Sequence, residues 1–185
     1  VDFSSNNLSG PLPSLVFNTS LKIFKSYNNN NISGPFPEFP ALNTNFEIFD
    51  ARNNNLSGFL PPLSSTPNLI QLIGARNPGS LTGPLPQFSD APKLEKFEFT
   101  GHQFTGTIPD LSNNTELRHF NVNSNALSGE FPQTLNCPHL INLRFNDNAS
   151  KLGSPGISGN VPTISACTSL RILDVANNIL TGFAG

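Results

Sequence analysis

Between Leu117 and Pro132 the apolar and polar positions follow one frame. Leu117, Phe120 and Val122 alternate with polar neighbours, Asn125 follows, and Leu127, Gly129, Phe131 and Pro132 close the unit. The frame returns about every 24 residues along the chain. With Asn125 as reference, its equivalents are Asn6, Asn29 or Asn30, Asn54, Asn77, His102, Asn148 and Asn178, which makes eight repeats. Glycines follow at Gly10, Gly34, Gly58, Gly83, Gly106, Gly129, Gly159 and Gly182, and in seven of the eight copies a proline stands three residues later. A unit this short cannot bury its own apolar face, so the copies must stack into a solenoid.

Alternation before each Asn predicts a short strand. A buried Asn side chain can satisfy backbone groups at the turn that follows, so stacked copies predict an Asn ladder. Five repeats depart from the frame. The first lacks its leading half, and the second holds one extra residue among Asn28 to Asn31, which predicts a bulge. The fourth carries a two-residue insertion at Pro78 and Gly79, a turn signal. The fifth replaces the ladder Asn with His102, and the seventh holds a seven-residue insertion around Lys151 to Gly156 that predicts a protruding loop. About seven residues separate each proline from the next strand, too few for a multi-turn helix, so short 3₁₀ turns are expected on the convex side. Phe24, Phe49, Phe97, Phe120, Phe99, Phe145, Phe36 and Phe131 occupy inward columns and read as a core spine.

The frame is similar to the leucine-rich repeat, and its LSG-x-φ-P ending resembles the plant-type subclass of receptor-kinase ectodomains and cell-wall polygalacturonase inhibitors. The resemblance covers the whole chain. It implies a β-dominated α/β repeat solenoid over residues 1–185: a right-handed superhelix of about eight repeats with a parallel concave sheet, plus a second, irregular strand layer from the G-x-φ-P segments. The Cys-rich caps that flank many members have no counterpart here. The first and last repeats are therefore expected to be covered, by residues of a longer parent chain or by another copy.

Composition narrows the function classes. With 36% apolar and 12% charged residues the chain can bury a core, while polar neutral residues do the solvating. Net charge is −2 and the ten basic residues are scattered, which leaves no footprint for nucleic acid or an anionic membrane. No apolar run reaches bilayer length. The chain opens at Val1 without a signal-peptide pattern, as a processed chain or a fragment would.

Candidate chemistry is sparse. Cys137 and Cys167 each stand three residues before a first strand Leu, hence in one column of neighbouring repeats and about 4.8 Å apart. Proximity permits a disulfide without implying it. Small buried residues, often Cys, are common there in the resembling family, so free thiols are expected. Cys137 and His139 lack an orienting third group and do not read as a catalytic pair. His102, His119 and His139 fall on separated positions, so no metal site is expected. Asp50 and Glu98 share a column two repeats apart with Ile73 between them, so no acid/base pair is expected. No catalytic residue or cofactor is assigned, and the chain reads as a non-enzyme.

What remains is surface. One outward column holds Asp2, Lys25, Asp50, Ile73, Glu98, Asn121, Arg144 and Asp174; the next holds Ser4, Tyr27, Arg52, Ala75, Thr100, Asn123, Asn146 and Ala176. Tyr27, Arg52, Ile73 and Arg76 stand on adjacent repeats and are the candidate ligand contacts, since Tyr and Arg are enriched at binding hot spots. The competing reading is a solvated face with internal pairing of Asp50 and Arg52. N-x-S/T acceptors fall at Asn7, Asn18, Asn31, Asn55, Asn113 and Asn148. Asn7, Asn31 and Asn55 should project in a row, and glycosylation is expected at Asn7, Asn31, Asn55 and Asn113, with Asn148 buried in the ladder. The resemblance implies a secreted or extracellular scaffold for a protein, peptide or cell-wall carbohydrate ligand. The alternative is a structural solenoid that stacks end to end.

Overall fold

The computed structural model describes residues 1–39, 43–78, 80–133 and 135–184. Seven three-residue strands, Ile23–Lys25, Ile48–Asp50, Gln71–Ile73, Lys96–Glu98, His119–Asn121, Asn142–Arg144 and Ile172–Asp174, form one parallel sheet in chain order. Equivalent residues pair directly, so Phe24, Phe49, Leu72, Phe97, Phe120, Leu143 and Leu173 form one inward column. The truncated first repeat adds only the isolated bridge from Asp2 to Lys25. The solenoid therefore has seven complete turns rather than eight.

The second strand layer is present, but it starts earlier than the glycine-to-proline segments. Strands such as Asn31–Pro35 and Asn55–Phe59 begin right after the ladder and end one residue beyond the glycine. Their pairing is staggered: Gly58 stands beside Leu81 rather than beside its equivalent Gly83. Gly34 and Gly58 sit at φ of 92° and 84°, where a β-carbon would be strained. This layer is one six-stranded and one three-stranded sheet, and the break falls in repeat six. The cause is the insertion of repeat seven. Ser154 Oγ donates to the Leu127 carbonyl at 2.9 Å, taking the position a seventh strand would have used.

On the convex side, among the described residues, only Phe88–Asp90 forms the expected 3₁₀ turn. Elsewhere two successive hydrogen-bonded turns consume the interval, as in Asn114 N–H to Leu111 O and Leu117 N–H to Asn114 O, both 3.0 Å. The other 3₁₀ turn, Lys151–Gly153, belongs to the insertion, which protrudes with Leu152 64% exposed. Lys151 Nζ fastens that loop to the Ser124 carbonyl at 2.6 Å. In repeat four, Gly79 of the expected turn lies outside the described residues.

All eight phenylalanines read as core are buried. Phe24 stacks on Phe49 and Phe97 on Phe120, with centroids 5.4 and 5.6 Å apart, while Phe88 meets Phe97 and Phe120 edge-on. These geometries are the ones the aromatic quadrupole favours. Small residues make room for them: a β-carbon on Gly74 would lie 2.3 Å from the Phe99 ring. Val1, Phe3 and Leu8 at one end, and Ile179 and Phe183 at the other, are exposed.

Candidate ligand-binding surface

The ladder fixes the edge of the concave sheet. Asn125 Nδ2 donates to the carbonyls of Phe99 and Val122, both at 2.9 Å, and its Oδ1 accepts from Phe104 N–H at 3.3 Å. From Asn29 onward each ladder side chain thus ties its own turn to the preceding repeat. The ambiguous repeat two resolves to Asn29, whose Oδ1 accepts from Leu8 N–H at 3.1 Å. Its extra residue is absorbed by Asn30 in the left-handed region at φ 55°. Asn31 N–H turns back to Asn29 O at 2.6 Å, and Asn54 Oδ1 is left buried without a partner.

His102 holds the ladder position with an imidazole. Its Nδ1 accepts from Leu81 N–H at 3.3 Å and its Nε2 faces the Gly74 carbonyl at 2.9 Å. Those partners require the neutral tautomer with the proton on Nε2. Burial, with Lys151 adding to it against the Gly74 hydrogen bond, pushes its pKa down to about 4.

A second polar ladder runs along the convex turns. Asn43 Nδ2 donates to the carbonyls of Asn18 and Leu21, and Asn114 Nδ2 to those of Phe88 and Ala91. In sequence this column stood out only by its cysteines, although it lies three residues before the first inward apolar residue of each repeat, Phe46 for Asn43 and Leu117 for Asn114. Cys137 and Cys167 occupy the same column and are disulfide-bonded, with Cα atoms 4.8 Å apart. The spacing was as read, but the expectation of free thiols is corrected: two thiols in adjacent turns with no polar partner stand in bonding register.

The first outward column lies where the frame placed it, as the pairing of Lys25, Asp50, Ile73, Glu98, Asn121, Arg144 and Asp174 shows, and backbone bonds such as Asn53 N–H to Ala75 O and Gly101 N–H to Asn123 O carry the second. Tyr27 and Arg52 come together, with the guanidinium carbon 5.1 Å from the ring centroid. Arg52 also pairs with Asp50 at 2.9 Å, the internal pairing that competes with a ligand. Burial raises the Asp50 carboxyl above its usual range, while Arg52 opposes the shift. Ile73 is only 2% exposed, so it offers little contact area. Arg76 is exposed but stands outside the flat strand columns, at φ 59°. It belongs to a rim of left-handed residues, Ser5, Asn28, Asn53, Gly101, Ser124, Asp147 and Asn177, which the sequence frame did not reveal because only one is glycine.

A third outward column, Ile23, Ile48, Gln71, Lys96, His119, Asn142 and Ile172, was not singled out beforehand. Where it meets the first column, Lys96, Glu98, His119, Asn121, Asn142 and Arg144 line a cavity of about 290 Å³. Burial, reinforced by Lys96 and Arg118 and opposed by Glu98, lowers the His119 pKa. Among the described residues, no group of three His, Cys, Asp or Glu is placed to hold a metal, and no helix is long and apolar enough to cross a membrane.

Of the acceptor asparagines, Asn7, Asn18, Asn31, Asn55 and Asn113 are exposed and Asn148 is buried. Asn31 Nδ2 reaches Asn7 Oδ1 at 3.4 Å, so these two of the expected row stand side by side, and Asn55 pairs in register with Ser33.

Neither a protein-family model nor a curated protein sequence matches the chain. Solved structures do. A TDR receptor is 25% identical with a TM-score of 0.78, covering 95% of this chain and 30% of that one. The plant peptide hormone receptor RGFR1 in complex with RGF2 is 26% identical with a TM-score of 0.73, covering 97% and 32%. The LRR ectodomain of the receptor kinase GASSHO1/SCHENGEN3 from Arabidopsis thaliana, in complex with CASPARIAN STRIP INTEGRITY FACTOR 2, is 29% identical with a TM-score of 0.73, covering 96% and 24%. The chain therefore spans about a third or less of the length of these structures. With its Asn ladder, its staggered second layer and these neighbours, the chain is a leucine-rich-repeat solenoid of the plant extracellular type found in receptor-kinase ectodomains.

Proposed function

We propose that the chain is an extracellular, non-catalytic recognition module whose concave sheet binds a peptide or protein ligand. The observation that carries the reading is the in-register concave surface, with Tyr27 and Arg52 together at its first repeats and Arg76 on its rim, set on a close-packed phenylalanine core. Rigid backing lowers the ordering cost of binding. The similar structures lend support, since two of them are receptors solved with a hormone or factor bound. Glycans at Asn7, Asn31, Asn55 and Asn113 would line an edge and the convex turns and leave the concave sheet open. Those edge and turn positions suit secretion.

The test is capture from an extracellular extract by the immobilised chain, with Tyr27→Ala/Arg52→Ala and Arg76→Ala variants as comparison. Retention of the same peptide or protein by the parent chain, and its loss from the variants, supports the reading. Equal capture by all three removes the concave assignment. A retained wall polysaccharide in place of a polypeptide would shift the ligand class to carbohydrate. End-to-end stacking remains an alternative proposal, and light scattering of the purified chain tests it by whether mass grows with concentration.

A further inference from the structure

The concave strands of repeats five to seven form a two-by-three grid. Lys96, His119 and Asn142 pair across one row; Glu98, Asn121 and Arg144 pair across the other. Several of these groups are already engaged within the chain. Lys96 Nζ holds Glu98 at 2.9 Å, Asn142 Nδ2 lies 2.9 Å from His119 Nδ1, and Asn121 Oδ1 accepts from Asn123 N–H at 3.3 Å. With Nδ1 accepting from the Asn142 amide, the neutral ring carries its proton on Nε2 and presents it as a donor.

Two donors are left over. His119 Nε2 has no partner among the described residues, and Arg144 makes no ion pair there, its Nε being buried and unpartnered. The acid beside Arg144 in register is Asp174, whose Oδ1 accepts from Ala176 N–H at 3.4 Å. An arginine that is desolvated at Nε without a carboxylate is costly unless something arrives to pair with it. Two acceptors are also orphaned next to the grid, Asn123 Oδ1 and Asn146 Oδ1, both buried.

We propose that this cavity is a carboxylate-reading subsite that takes an acidic side chain of an extended peptide between the Arg144 guanidinium and His119 Nε2–H. The proposal rests on the concave-face reading above and names the ligand chemistry at a part of that face which the Tyr27 and Arg52 cluster does not reach. A planar carboxylate matches the guanidinium fork. Main-chain N–H groups of the same peptide would satisfy Asn123 Oδ1 and Asn146 Oδ1, which follow the neighbouring strands His119–Asn121 and Asn142–Arg144 in one column. A peptide fits better than an acidic sugar, because the lining of Lys96, Glu98, His119, Asn121, Asn142 and Arg144 offers no Phe, Tyr or Trp ring for a sugar face.

Binding there is coupled to protons. Burial, with Lys96 and Arg118 beside the ring, disfavours the charged form of His119, while Glu98 favours it; Arg144 lines the same cavity, Asp147 follows its strand, and Asp174 stands beside it on the next. A bound carboxylate adds negative charge at Nε2, so the complex holds the imidazolium more readily than the free chain does. Affinity for the acid must therefore rise as pH falls.

The test is nuclear magnetic resonance of the ring-labelled full chain with three probes: acetyl-Gly-Glu-Gly-amide, its Gln isostere, and digalacturonate. The Glu peptide is expected to shift the His119 ring signals and to bind more tightly near pH 5 than near pH 8. The Gln peptide, and Arg144→Gln titrated with the Glu peptide, are expected to bind at least about tenfold more weakly, the usual worth of one charge-assisted pair. The His102 ring signals, from the ladder, report whether the variant is folded, and Arg144→Lys serves if it is not. Equal binding of the Glu and Gln peptides overturns the subsite while leaving the concave-peptide reading standing. Digalacturonate binding more tightly than the Glu peptide overturns the peptide source. No His119 shift with any probe up to its solubility limit overturns the subsite outright, and the capture experiment then decides the wider reading by itself.

Discussion

Acid should destabilise this solenoid through His102, and the size of the effect follows from the ladder geometry. The buried ring accepts from Leu81 N–H at Nδ1, so adding a proton there sets two N–H groups against each other. Its pKa falls from 6.5 to about 4 in the folded chain. Above pH 6.5 neither folded nor unfolded chain is protonated, and stability does not depend on this group. Below it the unfolded chain takes up the proton and the native chain does not, so stability is lost progressively until about pH 4, where the native ring also titrates. The full loss is about 3 kcal/mol. His102→Asn removes the titrating group and restores the side chain used at the other ladder positions. The assay is urea unfolding of parent and variant between about pH 7 and pH 4. Near neutrality the two should lie within about 1 kcal/mol, because Asn can make the same bonds. Towards pH 4 the variant should become the more stable by about 3 kcal/mol. Parallel curves, with a constant difference at every pH, would refute the buried neutral ladder histidine.

Four further outcomes follow from the packing and the surface. Asn125→Ala should cost about 2 kcal/mol or more by stranding the Phe99 and Val122 carbonyls, while Asn123→Ala on the concave face should fall within about 0.5; equal melting shifts would break the register. Gly74→Ala puts a β-carbon 2.3 Å from the Phe99 ring and should cost about 1–3 kcal/mol, a loss that Phe99→Leu in the same chain partly relieves; simple additivity in that double-mutant cycle would contradict the contact. Cys167→Ser should lower stability by about 3 kcal/mol through the 30-residue span it unlinks, and a parent chain whose melting temperature ignores reductant would remove the disulfide. Peptide mapping by mass spectrometry after expression in a eukaryotic secretory host should find sugar at some of Asn7, Asn31, Asn55 and Asn113 and none at the buried Asn148.

The periodic part of the fold was legible because each repeat states its register several times over. Phe120, Val122, Asn125 and Gly129 each constrain the same alignment, so the concave columns and the core spine could be placed by counting. What escaped was set by contacts between repeats. The choice of Asn29 over Asn30 depended on which side chain could reach Leu8 N–H, a partner 21 residues away. The convex turns are shaped by side chains such as Asn114, whose role shows only when the carbonyls of the previous repeat are in reach. The disulfide turned on side-chain orientation, which the sequence spacing does not fix, rather than on distance, which it does. Among the surface candidates, Tyr27 and Arg52 met as their column implied, whereas Ile73 is flanked by Asp50 and Glu98 and covered, and Arg76 sits on a left-handed rim. The grid around His119 and Arg144 was missed because its signal is a pair of groups left unpartnered, and pairing is invisible along a chain.

The claim that the concave sheet receives a polypeptide is tested most directly by site-specific photo-crosslinking. A photoreactive residue at Thr100, midway along the second concave column, is compared with one at Glu116, exposed on the convex turns. Each is irradiated with the extracellular extract used for capture, and the adducts are identified by mass spectrometry. The account predicts one dominant peptide or protein adduct at Thr100 that is lost in the Tyr27→Ala/Arg52→Ala background, and none at Glu116. The same adduct at Glu116 with none at Thr100, or adducts that persist when the concave side chains are removed, would contradict it.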